Sequence, residues 1–188
     1  PAAVERSITP RTKAIIAVHL TGAPCDMTAL QAIAQKHNLV LIEDCAQAWG
    51  AQVRGKPVGS FGHVACYSLM DSKHICAGDG GVVASNDKRI GPALLKFSDK
   101  GNDRMAPGNA WDKTGVLATN YRMSELQAAF AAVQLQRLEG IASKRAALGR
   151  LLIEGIGNLP AVLPPRIDAA DRATFWFFYF RLKLDRLK

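Results

Sequence analysis

Apolar and polar positions in the first 85 residues follow two alternating periods. "KAIIAVHL" (13–20) and "LVLIED" (39–44) are short, apolar runs, and a continuous run of this kind marks a strand buried on both faces of a parallel sheet. Between them, "DMTALQAIAQKHN" (26–38) sets Met27, Leu30, Ile33 and Ala34 at helical spacing, which predicts an amphipathic helix. Asp26 is its expected N-cap and Asn38 its C-terminal stop. "HVACYSL" (63–69) and "GGVVAS" (80–85) read as further strands, and a helix is expected from about Asp87 to Lys100.

The second half changes character. "DRMAPGNAWDKTGVLATN" (103–120) is a polar loop containing Gly and Pro, long enough to be suspected of function. "MSELQAAFAAVQLQRLEGIASKRAALGRLLIEGI" (123–156) is strongly helical, with Ser124 as N-cap and Leu126, Ala129, Phe130, Val133, Leu135 and Leu138 as apolar positions. A proline-rich break (160–165) precedes "ATFWFFYFRLKL" (173–184), an aromatic run that reads as a strand. The opening "PAAVERSITPRTK" resembles the tail of an αβ unit, and the last strand has nothing to pair with it. An exposed apolar edge is a liability, so either partner chains cover it or the natural protein is longer at both ends.

Composition narrows the class. The chain has 188 residues, 48% of them hydrophobic, enough for one well-buried domain. No run reaches the ~18 apolar residues of a membrane span, and the N-terminus lacks the basic and apolar regions of a signal peptide. A soluble, cytoplasmic protein is expected. Cys25, Cys45, Cys66 and Cys76 form no CxxC pair and each lies in or beside an apolar segment, so they read as reduced core thiols and zinc is disfavoured. The net charge of +8 permits nucleic-acid binding, but the basic residues are dispersed and no nucleic-acid module is present. An anionic small molecule fits the charge equally well.

The candidate chemistry lies at three places. Asp44 stands where the strand from Leu39 should end, and ligands of open parallel sheets bind beyond the carboxyl ends of the strands. A helix N-cap is the plain alternative for this carboxylate. Ser68 ends the "HVACYS" strand, where its hydroxyl serves either a local backbone bond or a phosphate. Lys73 follows in "SLMDSKHICAGDGG" (68–81). A lysine amine can form a Schiff base with an aldehyde cofactor, and Gly78, Gly80 and Gly81 let the backbone pass close to a bound group. Pyridoxal 5′-phosphate needs an acid for its ring nitrogen, a lysine for its aldehyde and donors for its phosphate. Asp44, Lys73 and Ser68 would supply all three.

With "TKAIIAVHLTG", "IEDCAQAWGA", "VGSFGHVACYSLMDSKHICAGDGG" and "NYRMSELQAA" in this order, the chain resembles the DegT/DnrJ/StrS sugar aminotransferases over nearly its whole length. The resemblance implies a fold-type I pyridoxal-phosphate enzyme with an α/β fold: the three-layer α/β/α sandwich of the aspartate-aminotransferase-like large domain, here incomplete. Residues 1–122 would be part of that large domain, 123–158 a long connecting helix or helices, and 159–188 the start of a small C-terminal α+β domain. Lys73 would be the catalytic residue, carrying the cofactor and shuttling a proton between substrate and cofactor. Asp44 would pair with the pyridine nitrogen, Gln47 would pack over the ring or contact its oxygen, and Ser68 would hold the phosphate. Asn120 would touch the phosphate, and Arg122 the substrate or phosphate, in a neighbouring subunit's site, which implies a homodimer.

The implied reaction transfers an amino group from glutamate or glutamine to a keto-sugar, a nucleotide-linked keto-sugar or a cyclitol. No metal, nucleic acid or membrane partner is implied. The alternative is a truncated family remnant that acts as a binding or structural module, and the missing parts motivate it. Relative to the family pattern, His74 stands after the lysine in place of Asn and Asp79 in the glycine turn in place of Glu. The family's upstream phosphate loop and ring-stacking aromatic residue have no counterpart before Pro1. His74 is expected to be a local hydrogen-bonding residue.

Overall fold

The structure, a computed structural model, describes residues 1–103 and 116–187, so most of the loop expected over 103–120 lies outside the described residues. A short helix, α1 (Ala2–Arg6), leads to strand β1 (Ala14–Val18), helix α2 (Met27–Lys36) and strand β2 (Val40–Asp44). The hairpin of β3 (Gln52–Val53) and β4 (Lys56–Pro57) then precedes β5 (Val64–Ser68) and β6 (Gly81–Ala84). These form a four-stranded sheet in the order β1-β2-β5-β6. The first three strands are parallel, but β6 runs antiparallel to β5. No helix lies between β5 and β6 to carry the chain back across the sheet, so it can return only as a hairpin.

The expected helix caps are in place. Asp26 accepts a hydrogen bond from the Ala29 amide at 3.0 Å, and Asn38 stops the helix in the left-handed region at φ 51°. Met27, Leu30, Ile33 and Ala34 are buried against Ile15, Ala17 and Leu41. In β2 burial alternates, with Leu41 and Glu43 facing α2 and Asp44 facing away.

Glu43 is the exception in this apolar layer, and the fold is arranged around it. The side chain is fully buried. Its Oε2 accepts from the Gly59 amide at 2.6 Å and meets His19 Nε2 at 3.1 Å. Its Oε1 accepts from the amides of Phe61 and Gly62 at 2.7 and 2.6 Å. His19 Nδ1 in turn accepts the Cys25 amide at 3.0 Å, which leaves Nε2 as the donor to Glu43. One carboxylate thus ties the end of β1, strand β2 and the turn at residues 59–62.

Beyond the sheet come α3 (Ile90–Ser98), α4 (Glu125–Gln136) and α5 (Leu138–Ile156). The helical stretch expected over 123–156 is two helices that meet at Arg137, which ends one and begins the other. Ser124 caps α4, and Gln127 completes a capping box. Leu126, Phe130 and Val133 of α4 are exposed among the described residues. The junction contributes Leu138 and Ile141, together with Met123 and Ala131, to a second cluster around Trp49, Leu69, Ile75 and Ala77.

The strand expected over 173–184 does not form. Only β8 (Arg181–Leu182) pairs there, with β7 (Val162–Leu163). The Thr174 and Trp176 amides instead donate to the carbonyls of Gly22 and Thr21 at 2.9 and 2.7 Å, and Phe175 takes a positive φ of 44°. These bonds turn residues 173–176 into an irregular strap across the loop that follows β1. None of the described helices is long and apolar enough to cross a membrane.

Burial opposes ionisation of Glu43, but its bonds to His19 and to the amides of Gly59, Gly62 and Phe61 outweigh this and hold its carboxyl below the ordinary range. A carboxyl depressed in the folded state stabilises above its unfolded value, near 4.5, and that contribution is lost as pH falls through the folded value. Urea unfolding should therefore show stability falling below about pH 4.5. Glu43→Ala, which leaves three amides and His19 facing a void, should cost about 3–5 kcal/mol at pH 7.

Candidate active site

The parallel register brings two of the expected residues together. Asp44 of β2 is opposite Cys66 of β5, and Ser68 is two residues further along β5, on the same face. Both stand at the carboxyl edge of the sheet, where open α/β sheets bind ligands. The Cys66 thiol reports the proximity: burial pushes it up, and the Asp44 charge adds to the shift. Asp44 Oδ1 accepts the Ala46 amide at 3.0 Å, so the local capping role is real. Its Oδ2 takes no protein donor among the described residues, which leaves one oxygen for a ligand. Ser68 Oγ accepts from the Met70 amide at 3.3 Å and retains its own proton to donate.

Lys73 lies on the loop between β5 and β6. The loop is closed by the Ala77 amide donating to the Leu69 carbonyl at 2.8 Å and by the Lys73 amide donating to Met70 at 3.0 Å. Leu69 and Ile75 anchor it beneath, in the cluster with Trp49. Trp49 Nε1 also donates to the Ser68 carbonyl at 2.7 Å, which couples the loop's start to the turn after β2. The Lys73 side chain is half-buried, and its Nζ lies 3.6 Å from the centroid of the Trp176 ring. No carboxylate pairs with it among the described residues.

The other expected residues are placed differently. Gln47 is committed to the fold: its Oε1 accepts the Thr21 amide at 2.6 Å, bracing the loop that the strap crosses. Asn120 and Arg122 sit beside α3. Asn120 Oδ1 accepts from the Arg122 amide and Nε at 3.2 and 3.1 Å, and Arg122 Nε pairs with Asp99 at 2.9 Å. They bond to this patch and not to the Lys73 loop.

His74 is buried, with Nε2 at 3.1 Å from the Thr174 carbonyl. It is thus a hydrogen-bonding residue that joins the lysine loop to the strap. Burial chiefly, with Arg145 and Lys73 adding repulsion and the Thr174 bond opposing, lowers its pKa to about 4. All four cysteines are free, although only Cys45 is fully buried.

Two further clusters bear on the chemistry. The described residues do bring His19, Glu43 and Cys45 within 4.8 Å of one another, a set that metals can use. Both Glu43 oxygens and both His19 nitrogens already hold hydrogen bonds, so this set is a structural knot. An open apolar groove of about 920 Å³ runs between β6 and α3, lined by Val83, Leu94, Leu95, Phe97 and Tyr121 among others. It includes none of Asp44, Ser68 and Lys73. Thr174 and Trp176 lie in an aromatic run whose composition reads as a strand, a pattern that carries no sign of their contacts with the Lys73 loop.

The mixed sheet thus carries Asp44 and Ser68 on one face at its carboxyl edge, with Lys73 on the loop that follows Ser68. The chain belongs to the DegT/DnrJ/EryC1/StrS aminotransferase family, whose profile matches residues 1–187. Aminotransferases of this family depend on pyridoxal phosphate. The chain is 37% identical over 173 residues to GDP-perosamine synthase of Escherichia coli O157:H7, covering 92% of this chain and 46% of that protein. It is 41% identical over 165 residues to L-glutamine:2-deoxy-scyllo-inosose aminotransferase of Micromonospora echinospora, covering 85% of this chain and 39% of that one. An aminotransferase from Psychrobacter cryohalolentis superposes with a TM-score of 0.91 at 33% identity, over 100% of this chain and 51% of its own. The chain therefore spans about half the length of the relatives it matches.

The buried His74 generates a test of this geometry. A histidine whose folded value lies near 4 binds fewer protons than the unfolded chain between that value and 6.5, so stability should fall as pH drops through this window. The loss should total about 3 kcal/mol. His74→Gln should flatten that part of the profile, measured by urea midpoints at half-unit pH steps.

Proposed function

We propose that this chain forms the lysine-bearing part of a pyridoxal-phosphate-dependent aminotransferase that moves an amino group from glutamate or glutamine to a keto-sugar, free or nucleotide-linked, or to a cyclitol. The observation that carries the reading is the shared face of Asp44 and Ser68 beside the Lys73 loop. Their donor set fits the cofactor. Among the described residues, Asp44 retains one unpartnered carboxylate oxygen for a protonated ring nitrogen, Ser68 retains a hydroxyl proton for a phosphate oxygen, and Lys73 has a primary amine that no carboxylate neutralises. Pyridoxal phosphate, when bound, supplies an aldehyde for the amine and a ring that takes up the electron pair released at the substrate carbon.

Each side chain then has a distinct task. Lys73 would anchor the aldehyde covalently and, once an amino donor displaces it, would be the base that takes the proton from the donor's α-carbon and delivers it to the cofactor's former aldehyde carbon, the reverse transfer serving the acceptor half. Asp44 holds the ring-nitrogen proton in place. Ser68 fixes the phosphate and hence the distance between ring and lysine. Gln47, tied to Thr21, supports the wall of the site through its position, and its free amide group faces the ring in this reading.

The substrate class follows the relatives, which include a perosamine synthase and a glutamine-dependent inosose aminotransferase. We assign Asn120 and Arg122 to a neighbouring subunit's site, in a homodimer. Their placement away from the Lys73 loop supports this, as do the exposed apolar side chains of the following helix, Leu126, Phe130 and Val133. A cytoplasmic setting accords with four unpaired cysteines.

Mixing the protein with pyridoxal phosphate should give an absorbance band in the visible range that Lys73→Ala abolishes. With glutamine as donor and a keto-sugar acceptor, Lys73→Ala should remove transaminase turnover and Asp44→Asn should lower it by about 10²–10⁴-fold. A band that persists unchanged in Lys73→Ala contradicts the assignment.

A further inference from the structure

The strap over the lysine loop has features that chain closure alone does not require. Trp176 Nε1 donates to the Ser72 carbonyl at 2.8 Å, which fixes the indole plane, and the ring face then receives Lys73 Nζ at 3.6 Å from its centroid. Arg145 Nη1 donates to the carbonyls of Phe175 and Trp176 at 3.0 and 3.4 Å, clamping the strap from the α5 side. From the other side come the Thr21 and Gly22 carbonyls and His74. Phe175, directly before Trp176, sits at φ 44°, a region that is strained for a bulky residue. Strain of this kind persists where surrounding contacts over-determine it, and it clusters at ligand clamps. Gly22 makes the approach possible: a Cβ there would stand 2.7 Å from the Phe175 nitrogen and 3.0 Å from that of Trp176. Gly149 does the same for the Phe175 ring, which would come within 2.2 Å of its Cβ.

We propose that Trp176 is a positioning residue that holds the Lys73 ammonium on its indole face and so slows its release as a reactive amine. A cation over the face of a tryptophan is attracted by the ring quadrupole, more strongly when partly desolvated. Condensation of a primary amine with an aldehyde needs the unprotonated nitrogen lone pair and releases one water; the ammonium held on the ring is the form that does not react. The indole therefore gives the free ammonium a resting position before it becomes the covalent anchor; a lysine later displaced by an amino donor leaves as the neutral amine that serves as base. This inference rests on Lys73 being the covalent anchor.

The test uses the 188-residue protein without cofactor, as wild type, Trp176→Phe and Trp176→Leu. Each is treated with limiting trinitrobenzenesulfonate, and the labelling rate of every lysine is read by peptide mass mapping. Lys73 should label about 5- to 30-fold faster in Trp176→Leu, the equivalent of ~1–2 kcal/mol of cation–π attraction. Trp176→Phe should fall between the two, Lys36 should not change, and the buried Cys45 should stay inert to a thiol reagent. An unchanged Lys73 rate in both variants overturns the proposal. So does a gain seen only together with exposure of Cys45, which marks general loosening. A second arm replaces the reagent with pyridoxal phosphate and borohydride. If no adduct forms on Lys73 in any of the three proteins while trinitrophenylation keeps its order, the anchor reading falls and the Trp176 contact stands.

Discussion

The buried carboxylate of Glu43 is the constraint on which the site depends. An ionised carboxylate in an apolar layer is tolerated only when its lone pairs are filled, and here three backbone amides and one histidine fill them. That requirement pins the end of β1, the whole of β2 and the turn before β5 in one register. The strand alternation does the rest. Because Glu43 must point into the layer beneath α2, its neighbour Asp44 must point to the other face, where the cofactor is proposed to sit. A one-residue slip would exchange the two carboxylates, burying Asp44 and turning Glu43 to the face where the cofactor is proposed to sit.

From that register the chemistry is built outward in steps. The β2–β5 pairing carries Ser68 to the same face as Asp44. The hydrophobic seat of Leu69 and Ile75 against Trp49 then fixes where the loop leaves the sheet and where Lys73 emerges. The strap, drawn across by the Thr21 and Gly22 carbonyls and by Arg145, places an aromatic face on the lysine nitrogen. Sheet edge, anchored loop and strap come from three distant parts of the sequence. They meet at the carboxyl edge of the sheet, where Asp44 and Ser68 share a face and Lys73 follows on the loop after Ser68.

Much of this was legible beforehand, for identifiable reasons. The strands at 14–18, 40–44 and 64–68 announce themselves by apolar runs, and α2 by its period and its Asp26 cap, because local pattern and tertiary burial agree there. The positions of Asp44 and Ser68 were legible because each closes a strand, and that of Lys73 because the loop after Ser68 is bounded by two strands. Glu43 was not: adjacent to Asp44 in "IED", it gives no sign of which carboxylate is buried until the strand's facing is known. The aromatic run at 173–180 misled for the opposite reason. Its composition is strand-like, but its backbone donors find better partners in the loop after β1, and tertiary bonding overrides propensity. The apolar stripe of α4 was equally visible, yet its large side chains, Leu126, Phe130 and Val133, are exposed among the described residues.

The account stands on Lys73 as the covalent anchor, and one measurement addresses that directly. The protein is incubated with pyridoxal phosphate, reduced with borohydride, digested and mapped by mass. The account predicts a single phosphopyridoxyl adduct on the peptide that contains Lys73. An adduct confined to another lysine, or none at saturating cofactor, contradicts it.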